Sequence, residues 1–369
     1  TETEDLGGST LTLHLAKTSL RSSLTLSDLN SDLALANSGT NPTPIAQEGS
    51  QAVSQQALRQ GQEFYQSGRF AEALATWESA LPTLADPARQ AVTLTLMALA
   101  QVELGQWTNA QTSLDRSQAL WSQLQDDRIQ QFIQGKFWGA QGRLWLAQGQ
   151  LLEAYHAYQA AEVAYTQAGD AWGNLQSRLN QVKLLRLQGF GTRAFNDIQR
   201  WLPEVQALPD DGLKVTALRQ VAETWAILGD RDQAKDFGIE SLDLAKTLNS
   251  PAEVAQSALS LGHLTWDSPL QSFNYFTQAL GAAPAFPELQ MQARVNLLRL
   301  GLRFPRSASQ LLGFYQDLQQ NFQTVPLSRS RIFGRLNLAE TLLQYPDWTE
   351  IFAIDENDFQ TLLSEALAD

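Results

Sequence analysis

The chain has 369 residues, a net charge of −13, no cysteine and 43% hydrophobic residues. That hydrophobic share supports a packed core and excludes wholesale disorder. The missing thiols exclude thiolate catalysis, disulfides and cysteine-ligated zinc, and the acidic balance repels phosphate backbones, which argues against a nucleic-acid partner.

Leu, Ala and Gln dominate while Val and Ile are scarce. Straight-chain residues lose little rotamer freedom in a helix, so an all-α fold is expected. The longest apolar run, Ala91–Ala100, contains Thr93 and Thr95 and falls short of the ~18–20 residues that cross a bilayer, so no transmembrane segment is expected. The lack of cysteine leans towards an extracytoplasmic (periplasmic or secreted) location over a cytoplasmic one. Because the sequence begins at Thr1 and not Met, removal of an upstream segment is expected, although no signal peptide is visible in what remains.

Residues 1–50 differ from the rest. Thr10-Leu11-Thr12-Leu13-His14-Leu15 alternates polar and apolar, the period of a strand, and Asn37–Pro44 holds Gly39, Pro42 and Pro44 in the manner of a linker. A short non-helical arm that pairs as an edge strand and a disordered arm both fit. Helical periodicity takes over from Ser54. The first hairpin is expected as Gln55–Gln66, a turn at Ser67-Gly68-Arg69, and Phe70–Leu81. Within it a small residue (Gly61) precedes the turn glycine (Gly68) by seven, and Ala73, Trp77 and Ala80 follow. The pattern recurs as Ala98, Gly105, Ala110, Leu114, Ser117; as Gly142, Gly149, Ala154, Tyr158, Ala161; more loosely as Val182, Gly189, Ala194, Ile198, Trp201; and as Ala222, Gly229, Ala234, Gly238, Ser241. A sixth hairpin spans Ala252–Trp266 and Leu270–Leu280, a seventh Glu288–Phe304 and Ser307–Phe322, and Arg329–Gln344 begins an eighth. Pro305 and Pro326 punctuate this part. Phe359–Ala368 would close the array as a cap.

These residues resemble the tetratricopeptide repeat, firmly over about residues 54–250. The small residue lets the second helix approach, the turn glycine supplies a conformation that a Cβ opposes, and the Ala with the bulky residue after it forms the seam. The resemblance implies a right-handed α-α superhelix, a solenoid of about seven or eight hairpins over residues 51–369, with the first helix of each hairpin facing a concave groove. The turn glycines recur at intervals of 37, 44, 40 and 40 residues, against the family's usual ~34. Six extra residues lengthen the helices of a repeat by ~9 Å in total. Long-period arrays of this kind are similar to those beside caspase-like (CHAT) domains in cyanobacterial proteins, although the protease dyad needs a cysteine that this chain lacks.

No cofactor or catalytic motif stands out. His14, His156 and His263 belong to different units and lack metal-ligand spacing. Gln188-Gly189-Phe190-Gly191 reads as a hairpin turn and not as a phosphate loop. Of ten tryptophans, Trp77 and Trp138 sit at seam positions and Trp107, Trp145 and Trp225 on packing faces, whereas Trp266 and Trp348 fit the pattern less well.

The functional signal is positional. One face of each first helix recurs at every third or fourth residue. It carries Lys136, Gly139, Arg143 and Leu146 in the third hairpin, Gln176, Leu179, Lys183 and Arg186 in the fourth, and Thr216, Arg219 and Glu223 in the fifth. The five cations Lys136, Arg143, Lys183, Arg186 and Arg219 are therefore the expected contacts for an acidic segment or a terminal carboxylate, with Arg294, Arg299 and Arg303 as an extension. The alternative is that they are solvated or paired with neighbouring acids such as Glu223. In the first two hairpins the same face is neutral or apolar, with Leu58, Gln62, Tyr65 and Leu99 expected to line the groove. The paired Lys and Asn of the carboxylate clamp in chaperone-binding relatives is absent, because Leu58 and Gln62 stand there. The tail beyond Arg335 has acids and aromatics but no Lys or Arg, so it reads either as a solvated cap or as a segment that docks on a basic groove.

The expected function is a non-catalytic scaffold or adaptor that holds a protein or peptide, with homodimerisation compatible with open solenoid ends. A regulatory sensor array in a larger effector system is the alternative, and a helical-toroid glycosidase a remote one, since the repeat seams already account for most aromatics.

Overall fold

The structure, a computed structural model, describes residues 45–282, 284, 286–304, 308–324 and 329–344, with 360, 361 and 364 besides. The strand-like Thr10–Leu15 segment, the Asn37–Pro44 linker, Trp348 and all but three residues of the expected cap lie outside the described residues.

Among the described residues every regular element is helical. Seven hairpins run in order: α1 (Ile45–Gln66) with α2 (Phe70–Ala80), α3 (Pro87–Glu103) with α4 (Trp107–Trp121), α5 (Asp127–Ala147) with α6 (Leu151–Ala168), α7 (Ala171–Leu187) with α8 (Gly191–Gln206), α9 (Gly212–Ile227) with α10 (Arg231–Thr247), α11 (Pro251–Leu264) with α12 (Pro269–Ala282), and α13 (Pro287–Arg303) with α14 (Ala308–Thr324). A further first helix, α15 (Arg329–Gln344), follows. The seven-or-eight hairpin expectation stands for the described part, and the bounds agree with the sequence reading within a few residues. The exception is α1, which begins at Ile45, directly after Pro44 and inside the segment read as arm and linker. Its first turns, Ile45-Ala46-Gln47-Glu48-Gly49-Ser50, carry little apolar periodicity, so nothing in the pattern announced them.

The turns obey the glycine rule. Gly68, Gly105, Gly149, Gly189 and Gly229 all have φ between 72° and 84°, a region in which a Cβ is opposed, and their N–H groups close the preceding helix on the carbonyl three residues back, as in Gly105 to Val102 at 3.1 Å. Helix starts are capped by acids where the sequence supplies them: Asp86 accepts from the Ala88 amide, Asp126 from Ile129, Asp211 from Leu213 and Lys214, and Asp230 from Gln233.

The seams are equally literal. A Cβ on Gly61 would fall 2.3 Å from Trp77 Nε1, and one on Gly262 would fall 2.3 Å from Phe276. Trp77 is fully buried there and its indole N–H donates to Leu58 O at 3.2 Å. Gly142 meets Tyr158 in the same way. Burying each such ring contributes about 1.5–3 kcal/mol.

Contacts group the described residues up to Leu184 into one compact unit and those from Leu185 onward into another. In the first, α3 packs on α4 and also on α5, the next first helix. In the second, α9 touches α11, α11 touches α13, and α13 touches α15. First helices are thus flanked by their own partner and by other first helices. Every residue from Ala91 to Glu103 of α3 is buried, as are Ala217–Thr224 of α9, Ala255–His263 of α11 and Val295–Gly301 of α13. Second helices bury one stripe only, as with Ala110, Ser113, Leu114, Ser117 and Trp121 of α4. Trp107, expected on a packing face, is 43% exposed. It is the first residue of α4, at the hairpin end, where fewer neighbours surround a side chain.

Candidate functional site: the buried polar face of the first helices

The unbroken buried stretches of the first helices from α3 to α13 bring polar side chains inside with the aliphatic ones, and each then needs a partner. The nine residues read from the sequence as groove lining all lie on first helices, and each exposes 6% or less of its surface. Leu58, Tyr65 and Leu99 belong to the apolar core of the first unit, with the Tyr65 ring 5.2 Å from Phe70 and 6.0 Å from Trp77. Gln62 is buried among them on α1.

The cations are held in place one repeat at a time. Arg143 of α5 donates through Nε to Glu103 Oε1 of α3 at 2.7 Å, and its Nη2 reaches the same oxygen. Burial alone would pull the Arg143 pKa down, but the Glu103 charge, with smaller contributions from Tyr65 and Tyr158, outweighs it and the net shift is upward, so the guanidinium stays charged. Lys136 lies about two turns earlier on α5, with Nζ 4.5 Å from the centroid of the Phe132 ring, a cation–π distance. Lys183 is 3% exposed on α7.

In the second unit, Arg186 at the end of α7 gives Nη2 to Glu223 Oε2 and to Gln220 Oε1, both at 2.7 Å, and Nη1 to the Gln220 carbonyl at 3.3 Å. Glu223 Oε1 accepts in turn from Ser260 of α11 at 3.2 Å. Arg219 of α9 pairs with Glu253 of α11 at 2.9 Å. Further along, Arg299 of α13 donates to Thr341 Oγ1 of α15 at 3.2 Å and stands 3.7 Å from Glu340. Arg294 bonds Gln290 on its own helix and approaches Asp317, and Arg303 lies against Phe304. The structure therefore does not gather the cations into one cluster. Arg143, Arg186 and Arg219 are each matched with a carboxylate on an adjacent first helix.

Those carboxylates are what the residue-by-residue reading overlooked, Glu223 excepted. A signal existed: Glu103 precedes Arg143 by 40 residues, Glu223 follows Arg186 by 37, and Glu253 follows Arg219 by 34. Opposite charges one repeat apart meet when first helices lie side by side. His263 sits in the same layer, its ring 5.3 Å from Phe276 and 6.4 Å from Trp266. Burial, aided by the Arg299 charge, lowers its pKa to about 3, so it is neutral at ordinary pH. Away from this layer, a cleft of about 490 Å³ beside α2 is lined by Leu81, Pro82, Gln90, Leu94, Arg116, Ala119 and Leu120. Among the described residues no helix is long and apolar enough to cross a membrane.

Helix hairpins in series, left-handed glycine turns, small-on-large seams and side-by-side first helices define a tetratricopeptide-type repeat fold. No family model matches the chain, and no curated protein is similar to it in sequence. Solved structures are similar in fold. The apo form of the quorum sensor NprR from B. thuringiensis superposes with a TM-score of 0.56 at 12% identity, over 98% of this chain and 96% of that one. NprR in complex with its cognate peptide NprX gives 0.50 at 10% identity, over 88% and 90%. A signal transduction ATPase with numerous domains and a tetratricopeptide repeat sensor, from Pyrococcus horikoshii, gives 0.53 at 12% identity, over all of this chain and 53% of that one, so this chain spans about half its length.

Proposed function

We propose that this protein is a non-catalytic scaffold whose first helices take up a peptide or a segment of another protein, and that the preferred segment is acidic. The observation that carries the reading is the buried polar layer itself. Lys136, Arg143, Lys183, Arg186 and Arg219 occupy positions where packing alone calls for aliphatic side chains, and charged groups in such positions are a common mark of a recognition surface. The fold shared with NprR, which is known in complex with a cognate peptide, supports a peptide as the ligand. A net charge of −13 favours a protein partner over nucleic acid.

An acidic ligand enters by exchange. Glu103, Glu223 and Glu253 hold the arginines in the unliganded chain. Removing a resident carboxylate without replacement strands a buried cation at about 3–5 kcal/mol. A ligand carboxylate that takes the vacated place avoids that cost, while a neutral or basic ligand does not. The test compares one Asp/Glu-rich and one neutral peptide of equal length, titrated against the full chain at low and high salt. We expect the acidic peptide to bind at least about tenfold tighter at low salt, with the preference lost in the Glu103→Gln/Arg143→Gln and Arg186→Gln/Glu223→Gln pairs. Equal binding of both peptides overturns the acidic preference, and saturable binding of neither overturns the scaffold reading.

A regulatory sensor array within a larger effector is the second reading. The likeness to the quorum sensor NprR and to the repeat sensor of the Pyrococcus horikoshii protein favours it. Its mark would be a ligand-dependent change in the activity of an attached or co-purified effector domain.

A further inference from the structure

The connection between the first two hairpins is built differently from those that follow. α2 has 11 residues, whereas the second helices from α4 to α14 have 14 to 18. It ends at Ala80, and Pro82 has no N–H with which to continue the helical ladder. The chain passes instead into a 3-10 turn, Leu81–Thr83, before Asp86 caps α3. The early end leaves space beside the second half of α4, and the cleft of about 490 Å³ opens there. All of its lining belongs to one compact unit.

The floor of the cleft is Leu94 of α3, which is 1% exposed. Leu81 and Pro82 of the turn form one wall, and Arg116, Ala119 and Leu120, at i, i+3 and i+4 on one face of α4, form the other. Leu81 and Leu120 are partly buried against the core of the unit. The turn is fastened at three points. Leu84 N–H donates to Leu81 O at 3.2 Å, Thr83 Oγ1 to Ala80 O at 2.6 Å, and Gln90 Nε2 of α3 to Leu84 O at 2.6 Å. The cleft is therefore formed before anything enters it, and its size falls within the ~300–1,000 Å³ of small-molecule pockets. Two side chains in the lining are polar. Gln90 spends its amide N–H on the turn. Arg116 is exposed and makes no hydrogen bond or ion pair with any described residue.

We propose that this cleft binds a small amphiphile, an alkyl chain ending in a carboxylate, with Arg116 as its counter-charge. The alkyl part covers Leu81, Pro82, Leu94 and Leu120, so binding tightens with chain length until the cleft is filled. The stem of Arg116 lies along the apolar lining while its planar guanidinium stays at the water edge, where it meets a carboxylate through two N–H groups. In a chain of net charge −13, an anion is drawn only where a cation stands without a resident acid. A peptide segment fits this lining less well, because it brings an N–H and a C=O at every residue. Pro82 offers it no N–H, and Gln90, Leu94, Arg116, Ala119 and Leu120 lie inside helices whose N–H groups are spent on the ladder. The site is separate from the buried ion pairs of the first helices and does not depend on the peptide-binding reading.

The experiment titrates the full chain, with isotope-labelled leucine methyls, against butanoate, hexanoate and octanoate, and against octanol as the uncharged control, all below the concentrations at which they aggregate. We expect saturable shifts of the Leu81, Leu94 and Leu120 methyls. Octanoate should bind about tenfold tighter than hexanoate, since each fully buried methylene is worth up to about fourfold. At low salt octanoate should bind about threefold tighter than octanol, the gain of an exposed ion pair. That difference should vanish in Arg116→Gln while octanol binds as before. Ala119→Phe fills the cleft from an exposed position and should lose both ligands. No saturable shift at the three leucines overturns the site. Equal binding of octanoate and octanol to the wild type, or unchanged octanoate binding in Arg116→Gln, overturns the role of Arg116. Octanoate binding to Ala119→Phe as to the wild type overturns the cleft as its location. A short peptide ending in a leucine carboxylate that shifts the same methyls at lower concentration than octanoate overturns the alkyl ligand in favour of a chain terminus. If Ala119→Phe lowers the thermal midpoint, the Arg116→Gln comparison decides alone.

Discussion

The Arg186–Glu223 pair and the Asn296 amide are both buried on first helices of the second unit, yet they face opposite energetic situations. Arg186 and Glu223 have spent their hydrogen bonds on each other, on Gln220 and on Ser260. Asn296 has left its acceptor unspent. A satisfied buried pair contributes little net stability beyond what well-packed aliphatic groups would supply, but losing half of it is severe. An unsatisfied buried acceptor is the reverse: it lowers stability while present, and an apolar replacement of similar shape relieves the chain. The contrast separates polar groups that hold the repeat together from one that the fold leaves unsatisfied.

The largest effect should come from splitting a pair. Glu223→Ala leaves the Arg186 guanidinium buried and takes an acceptor from Ser260, and we expect a loss of about 3–5 kcal/mol in urea unfolding. The Arg186→Gln/Glu223→Gln double variant should lose far less, about 1–2 kcal/mol, because no charge is stranded. A single variant no worse than the double would break the comparison, since the pair would then not be behaving as a buried one.

The pH dependence of His263 comes next. Its pKa falls from 6.5 in the unfolded chain to about 3 in the fold, so between those values the unfolded state binds a proton that the native state refuses. Stability should therefore be full above pH 6.5 and decline as pH falls towards 3, by at most about 1.4 kcal/mol per pH unit. A His263→Phe variant should show a shallower slope over that window. A slope unchanged from the wild type would remove His263 from the layer's titration.

The smallest effect has the opposite sign. Asn296→Leu should stabilise the chain by about 0.5–1 kcal/mol in the absence of ligand. A clear loss in its place would mean that Asn296 belongs with the satisfied set.

Much of the fold was legible residue by residue. A glycine at each hairpin turn adopts left-handed φ, and Gly61 under Trp77 or Gly142 under Tyr158 are local facts of size and backbone freedom that a spacing of seven and sixteen residues announces. The first turns of α1 were not legible, because Ile45–Ser50 lacks a hydrophobic stripe. The site was half legible. Lys136, Arg143, Lys183, Arg186 and Arg219 could be placed on one face of their helices from the 3.6-residue period, but the carboxylates that meet three of them lie a whole repeat away.

The sequence by itself determined the hairpins, their turns and their seams, because helix propensity, glycine conformation and small-on-large packing act over a few turns of chain. Only the tertiary structure decided that the first helices from α3 to α13 each bury an unbroken stretch on all sides. That burial changes the meaning of their polar residues: it turns Arg143, Arg186 and Arg219 into partners of Glu103, Glu223 and Glu253, and it leaves Asn296 Oδ1 without one. The physical reason is that desolvation depends on what surrounds a side chain from every direction, and a residue's neighbours one repeat away are set by helix packing and not by its own stretch of chain.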